Sequence, residues 1–225
     1  MCSSDLSHAH VLVGALSHSG RWRGVLADGE DLAHLVEAID AVVARLGGLT
    51  RRWRFDRMST VCTPSGRLSA AFAAVAKYYT VGVDVCPARH GNRKGVVEKA
   101  IDYFTQSWWR TACVHSSAEA QASADRFCVD VADQRRRGDV TVGELADTET
   151  LLALPPAPFP AEVRVVRTVA ANALVSLWGN RYSVPPGLVG GHVQVRWRLG
   201  ADSADFHAGG DRKSTRLNSS HLFIS

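Results

Sequence analysis

The chain has 225 residues, 46% of them apolar and 21% charged, with a formal net charge of +4. This composition excludes intrinsic disorder and collagen-like repeats, and it is enough to bury one substantial core and a second, smaller domain. The charge by itself supports a nucleic-acid partner only weakly. No apolar run reaches the roughly 18 residues a membrane helix needs, and no signal-peptide apolar region is visible, so a cytoplasmic protein without membrane contact is expected.

In chain order, Met1-Cys2-Ser3-Ser4-Asp5-Leu6 matches a translated reverse complement of a short-read sequencing adapter, so residues 1–6 are set aside as a processing scar would be. Residues 10–16 and 21–27 are short apolar runs separated by Ser17-His18-Ser19-Gly20, the pattern of a β-hairpin. Residues 31–46 carry Leu32, Leu35, Val36, Ile39, Val42, Val43 and Leu46 at helical spacing and stop at Gly47-Gly48. Residues 49–55 read as a strand, 68–79 as a helix through Phe72, Val75, Ala76 and Tyr79, and Val81, Val83 and Val85 as an alternating strand. Residues 94–111 form a second long helical pattern. This alternation predicts an α/β domain with a mixed sheet.

Residues 116–137 are helical and amphipathic in pattern, and residues 151–154 run into Pro155-Pro156-Ala157-Pro158-Phe159-Pro160, a linker composition. Short strand patterns at 163–169, 174–177, 181–184 and 192–197 suggest a small β-barrel. From Asp211 to His221 the chain matches eleven residues of the same adapter in translation, so residues 211–225 are also set aside. The insert, about 7–210, then carries a net charge of +3, and the natural protein is expected to continue beyond both of its ends and to complete the barrel. The expected organisation is a core at 7–115, a helical and Pro-rich linker at 116–160 and a truncated barrel at 161–210. Cys62, Cys86, Cys113 and Cys128 are widely spaced with no C-x-x-C pair, and are read as reduced thiols.

Two carboxylates stand in positions that suit metal chemistry. Asp56 follows a strand pattern and Glu98 opens a helical one, and hard oxygen ligands so placed can hold two Mg²⁺ about 3.5–4 Å apart. A helix-start role for Glu98 is the plainer alternative, since the dipole favours a carboxylate there by about 0.3–1 kcal/mol. Asp28 and Asp31 read as turn and helix-start residues, and Asp84 as the solvent side of its strand. Arg51, Arg52, Arg54, Arg57, Arg89, Arg93, Lys94 and Lys99 crowd the two segments, where they could meet phosphates or could form a solvated basic face. Trp108 and Trp109 read as core packing, with base stacking as the alternative. His18, His90 and His115 have no metal-site spacing and read as surface or turn residues.

Three stretches carry a family resemblance: Leu16-Ser17-His18-Ser19, Phe55-Asp56-Arg57-Met58-Ser59-Thr60-Val61, and residues 87–98 with their Lys94-Gly95-x-x-Glu98 core. On these, residues 10–111 resemble the integrase catalytic core of DDE transposases, most nearly the IstA-like transposases of insertion sequences that encode a separate ATP-binding helper. Asn180-Arg181-Tyr182-Ser183-Val184-Pro185 resembles the C-terminal barrel of the same class, which helps hold DNA or neighbouring subunits. A bare structural barrel is the alternative.

The resemblance implies a ribonuclease-H-like fold, here without its first strand. It gives Asp56 the part of the second catalytic Asp and Glu98 that of the catalytic Glu, as metal ligands for Mg²⁺ or Mn²⁺. It implies DNA contacts at Arg57, Arg93, Lys94, Gly95 and Lys99, although Arg57 stands where the family commonly has Asn. The family's first catalytic Asp precedes the hairpin, where this chain has adapter. Asp5 is not accepted in its place, so the chain as it stands is expected to be inactive. DNA, a homo-oligomer on DNA and the ATP-binding helper are the implied partners. A metal-dependent nuclease of the same fold and a decayed DNA-binding remnant are the rival readings.

Overall fold

The computed structural model describes residues 10–86, 95–177, 180–198 and 204–208, and the backbone of 217–218. The chain divides into two compact units, Met1–Phe159 and Pro160–Ser225. No described helix is long and apolar enough to cross a membrane.

The first unit is built around the expected hairpin. β1 (His10–Ala15) and β2 (Trp22–Ala27) pair antiparallel from His10 opposite Ala27 to Ala15 opposite Trp22. Side-chain alternation sends Leu12 and Leu16 towards one helical layer and Val13 and Ala15 towards another. The first layer is α1 (Leu32–Leu46), whose Ala38, Val42 and Leu46 meet Leu16 and Val25. Asp31 caps α1 by accepting from the Ala33 and His34 amides at 2.9 and 3.1 Å, and Gly47 ends it in the left-handed region at φ 92°. Gly14 lets helix and strand approach closely, for a Cβ there would lie 2.4 Å from Val42 Cγ1.

On the other face lie α3 (Gly95–Tyr103), a π-helical turn (Phe104–Trp109) and α4 (Ser117–Phe127), which contribute Ala100, Phe104, Trp108, Ala120 and Ala124 to a core with Val13 and Trp22. Between the layers in sequence, β3 (Arg52–Phe55) and β4 (Gly82–Val85) form a parallel pair, joined through α2 (Ala70–Tyr78). Such a connection is what parallel pairing requires. Phe55 meets Phe72 edge to face, with centroids 5.1 Å apart.

The region after Thr111 departs from its expected reading. The single helical pattern over 116–137 is α4, a second π-helical turn (Cys128–Ala132) and the start of a tight hairpin, β5 (Arg136–Arg137) with β6 (Val140–Thr141), followed by α5 (Val142–Asp147). Residues 116–147 pack onto the first unit: Ala120, Ala124, Cys128 and Ala132 are fully buried in the same core as Trp22. The apolar period recorded that burial but could not name its partner. Cys62, Cys86 and Cys128 are buried free thiols, whereas Cys113 is disulfide-bonded, unlike the all-thiol expectation.

In the second unit, β7 (Glu162–Thr168), β8 (Leu174–Leu177), β9 (Asn180–Ser183) and β10 (His192–Arg198) fall where strands were expected. The described residues do not support the expected barrel. β7, β10, β11 (Ala204–Ala208) and β12 (Leu217–Asn218) make one four-stranded sheet and β8–β9 a separate hairpin, with no closed barrel among the described residues. Val175 and Leu177 of the hairpin instead share a core with Val193, Val195 and Phe206 of the sheet. Face-to-face packing buries these apolar residues without the continuous ladder that closure demands.

Candidate functional site

Asp56 follows β3 directly and is exposed. It lies at the carboxyl end of the parallel β3–β4 pair, the end at which open α/β sheets bind ligands. The strand beneath it is fixed by buried Trp53, by the Phe55–Phe72 contact and by the Cys86 amide donating to the Phe55 carbonyl at 2.9 Å. The Asp56 carbonyl accepts from the Met58 amide at 2.8 Å, which turns the chain sharply after the strand.

Glu98 is on the first turn of α3 and is exposed, as is Lys99, while Ala100 of the same helix is buried. Helical phase thus separates the charged residues from the packed one. Gly95 opens α3, and a Cβ on it would meet nothing within 4 Å, so packing does not require glycine there. Arg89, His90, Arg93 and Lys94 lie outside the described residues. Among the described residues no group of three or more His, Cys, Asp or Glu side chains is placed to hold a metal ion. Asp56 and Glu98 have the hard oxygen chemistry that suits Mg²⁺, but the described donors do not make up a complete site.

The basic residues near Asp56 separate into two kinds. Arg52 donates from Nε to Asp84 Oδ2 at 3.1 Å, and Arg54 Nη2 lies 3.9 Å from the same oxygen. The hydrogen bond to Asp84 raises the pKa of Arg52 further above its ordinary value. Arg57 is exposed and has no acidic partner among the described residues. Asp84 is thus on the outward side of its strand, as expected, and partly cancels its two neighbours.

Trp108 is core: it is buried, stacks on Phe104 at 4.6 Å and donates from Nε1 to Ser123 Oγ at 3.1 Å, which removes it from base stacking. His18 and His115 are exposed, as expected of surface histidines. The sequence reading missed a buried ion pair. Arg23 donates to Asp133 from Nη1 to Oδ1 at 3.0 Å and from Nη2 to Oδ2 at 2.7 Å, and Arg21 Nε lies 3.3 Å from Oδ2. The available signal was an arginine in the middle of an apolar strand pattern. A cleft of about 360 Å³ beside β2, α1 and α4 was also not foreseen; its polar lining includes His34, Glu37, Arg45 and Gln121.

The family model for the Mu transposase C-terminal domain matches residues 154–202. The transposase of insertion sequence IS21 from Pseudomonas aeruginosa is 25% identical over 196 residues, 83% of this chain and 50% of that protein. The transposase of IS1326/IS1353 from the same organism is 31% identical over 160 residues, 67% of this chain and 31% of that protein. The chain thus spans half or less of the length of these relatives. Among solved structures, a chain of the simian T-cell lymphotropic virus intasome in complex with a PP2A regulatory subunit aligns over 96% of this chain and 72% of its own length, at 11% identity and a TM-score of 0.49. These sequence similarities are those of an IstA-like DDE transposase of insertion sequences.

Proposed function

We propose that the chain is the DNA-handling part of a transposase that cuts and joins DNA by metal-dependent phosphoryl transfer, with a ribonuclease-H-like first unit. The observation that carries this reading is the similarity to the IS21 transposase over 83% of the chain, with Asp56 at the carboxyl end of a parallel strand pair. Asp56 and Glu98 would be two of the ligands for Mg²⁺ or Mn²⁺, and a further carboxylate would complete the set. Arg57, Arg93, Lys94, Gly95 and Lys99 would meet DNA, with the cations reaching phosphates and Gly95 allowing close approach. DNA ends and target DNA, further copies of the same transposase and an ATP-binding helper would be the partners.

The test is to recover the coding sequence on either side of residues 7–210, express the completed protein and assay strand transfer on the DNA that flanks its gene. Asp56→Asn and Glu98→Gln should each abolish joining while DNA affinity persists. Joining that survives both substitutions would overturn the reading. Cleavage without joining would favour a nuclease of the same fold, and DNA binding with neither activity in the completed protein would favour a decayed remnant.

A further inference from the structure

The segment that follows Asp56 is a built element rather than a loose loop. Val61 and Cys62 are buried at its base, the Ser69 amide donates to the Val61 carbonyl at 2.9 Å, and Cys62 bridges antiparallel to Leu68. The Thr63 amide donates to the Arg67 carbonyl and the Gly66 amide to the Thr63 carbonyl, both at 2.8 Å. With Pro64 and Ser65 at the tip and Gly66 at φ 84°, residues 61–69 form a tight hairpin whose turn requires glycine.

This hairpin presents cations and hydroxyls together. Arg67, Thr63 and Ser65 are exposed, with Thr63 Oγ1 and Ser65 Oγ 2.9 Å apart. The Arg57 guanidinium lies along Gly66, with Nη2 3.3 Å and Cζ 3.5 Å from where a Cβ would stand. A side chain at position 66 would therefore push Arg57 away. Neither Arg57 nor Arg67 has an acidic partner among the described residues, in contrast to Arg52 and Arg54, which share Asp84.

Two guanidinium groups without an acidic partner among the described residues and two hydroxyls, gathered at a turn that begins five residues after Asp56, are suited to a phosphodiester backbone. Resting on the proposed function, we infer that hairpin 61–69, with Arg57 laid over Gly66 and with Arg67, is a clamp for the DNA backbone beside Asp56. It reads no sequence: its donors suit phosphate oxygens.

The test uses the 225-residue chain and a fluorescein-labelled DNA duplex of arbitrary sequence, with affinity measured by anisotropy between about 50 and 200 mM salt, the range in which phosphate contacts show. Arg57→Gln with Arg67→Gln should lower the slope of log affinity against log salt by about 2, close to 0.9 for each lost phosphate contact. Arg57→Lys with Arg67→Lys should recover most of it, and Arg52→Gln should leave it in place. Circular dichroism melting confirms that each variant is folded. An unchanged slope in the paired glutamine variant overturns the clamp alone, as does an equal fall for Arg52→Gln, which would mean that only overall charge matters. If the unaltered chain binds no DNA, the clamp and the proposed function fall together.

Discussion

Arg23 and Asp133 hold each other through two parallel hydrogen bonds of 3.0 and 2.7 Å, at only 7% and 5% exposure. The pair ties β2 to the turn after α4, across 110 positions of sequence. Asp133 also receives Arg21, which reaches Asp147 at 2.9 Å. Breaking a buried pair leaves one charge uncompensated, so Asp133→Ala should cost about 3–5 kcal/mol, whereas replacing both partners by apolar residues restores much of the loss. Urea unfolding of Asp133→Ala and of Arg23→Met with Asp133→Leu measures both. A single variant as stable as the parent would show that the pair is not fully desolvated.

Gly14 and Val42 form a close strand–helix contact. A Cβ at position 14 would stand 2.4 Å from Val42 Cγ1, closer than real side chains come. Gly14→Ala should destabilise by about 1–3 kcal/mol through overpacking. Because the clash has a single principal partner, adding Val42→Ala should give less destabilisation than the two single losses summed. Simple additivity in thermal melts would mean that the backbone, and not Val42, absorbs the extra methyl.

Burial pushes the Cys128 thiol up from its ordinary 9.0 to about 11, despite opposing help from a Gly24 backbone hydrogen bond and Arg23. In the unfolded chain the thiol ionises first, so between pH 9 and about 11 the folded form holds more protons. The neutral thiol's contribution is complete below pH 9 and is lost as pH rises through about 11. Cys128→Ala should therefore flatten the decline of stability over that window. Parallel pH profiles for the two proteins would contradict the assignment.

Gln121 covers the edge of β2 that faces away from β1. Its Oε1 accepts from the Leu26 amide at 2.9 Å and its Nε2 donates to the Gly24 carbonyl at 3.1 Å. One side-chain amide thus occupies the groups a neighbouring strand would use, a protection that exposed sheet edges need. Gln121→Ala should raise concentration-dependent association. Sedimentation that is unchanged across a tenfold range of concentration would remove the protective role.

Most elements near the candidate site could be read from pattern alone. Alternation marked β1 and β2, the 3.6-residue period and Gly47 bounded α1, and the residues around Asp56 and Glu98 carried the family resemblance. These signals are local, since they depend on side-chain period and on residues within one turn of the chain. The barrel failed as an expectation for the complementary reason. Four strand patterns were sound, but the partner of each strand is a long-range choice, and among the described residues β7 pairs with β10 while β8 pairs with β9 alone.

By itself, the sequence determined the places of β1, β2, α1 and the strand patterns of the second unit, and which residues are apolar enough to bury. Only the tertiary structure decided which charges are spent inside the protein and which remain at the surface. Asp84 takes Arg52 and Arg54, Asp133 takes Arg23, and the 61–69 hairpin sets Arg57 against Gly66 beside Asp56. Period and propensity act over a few residues, whereas an ion pair forms when folding brings distant side chains within about 4 Å.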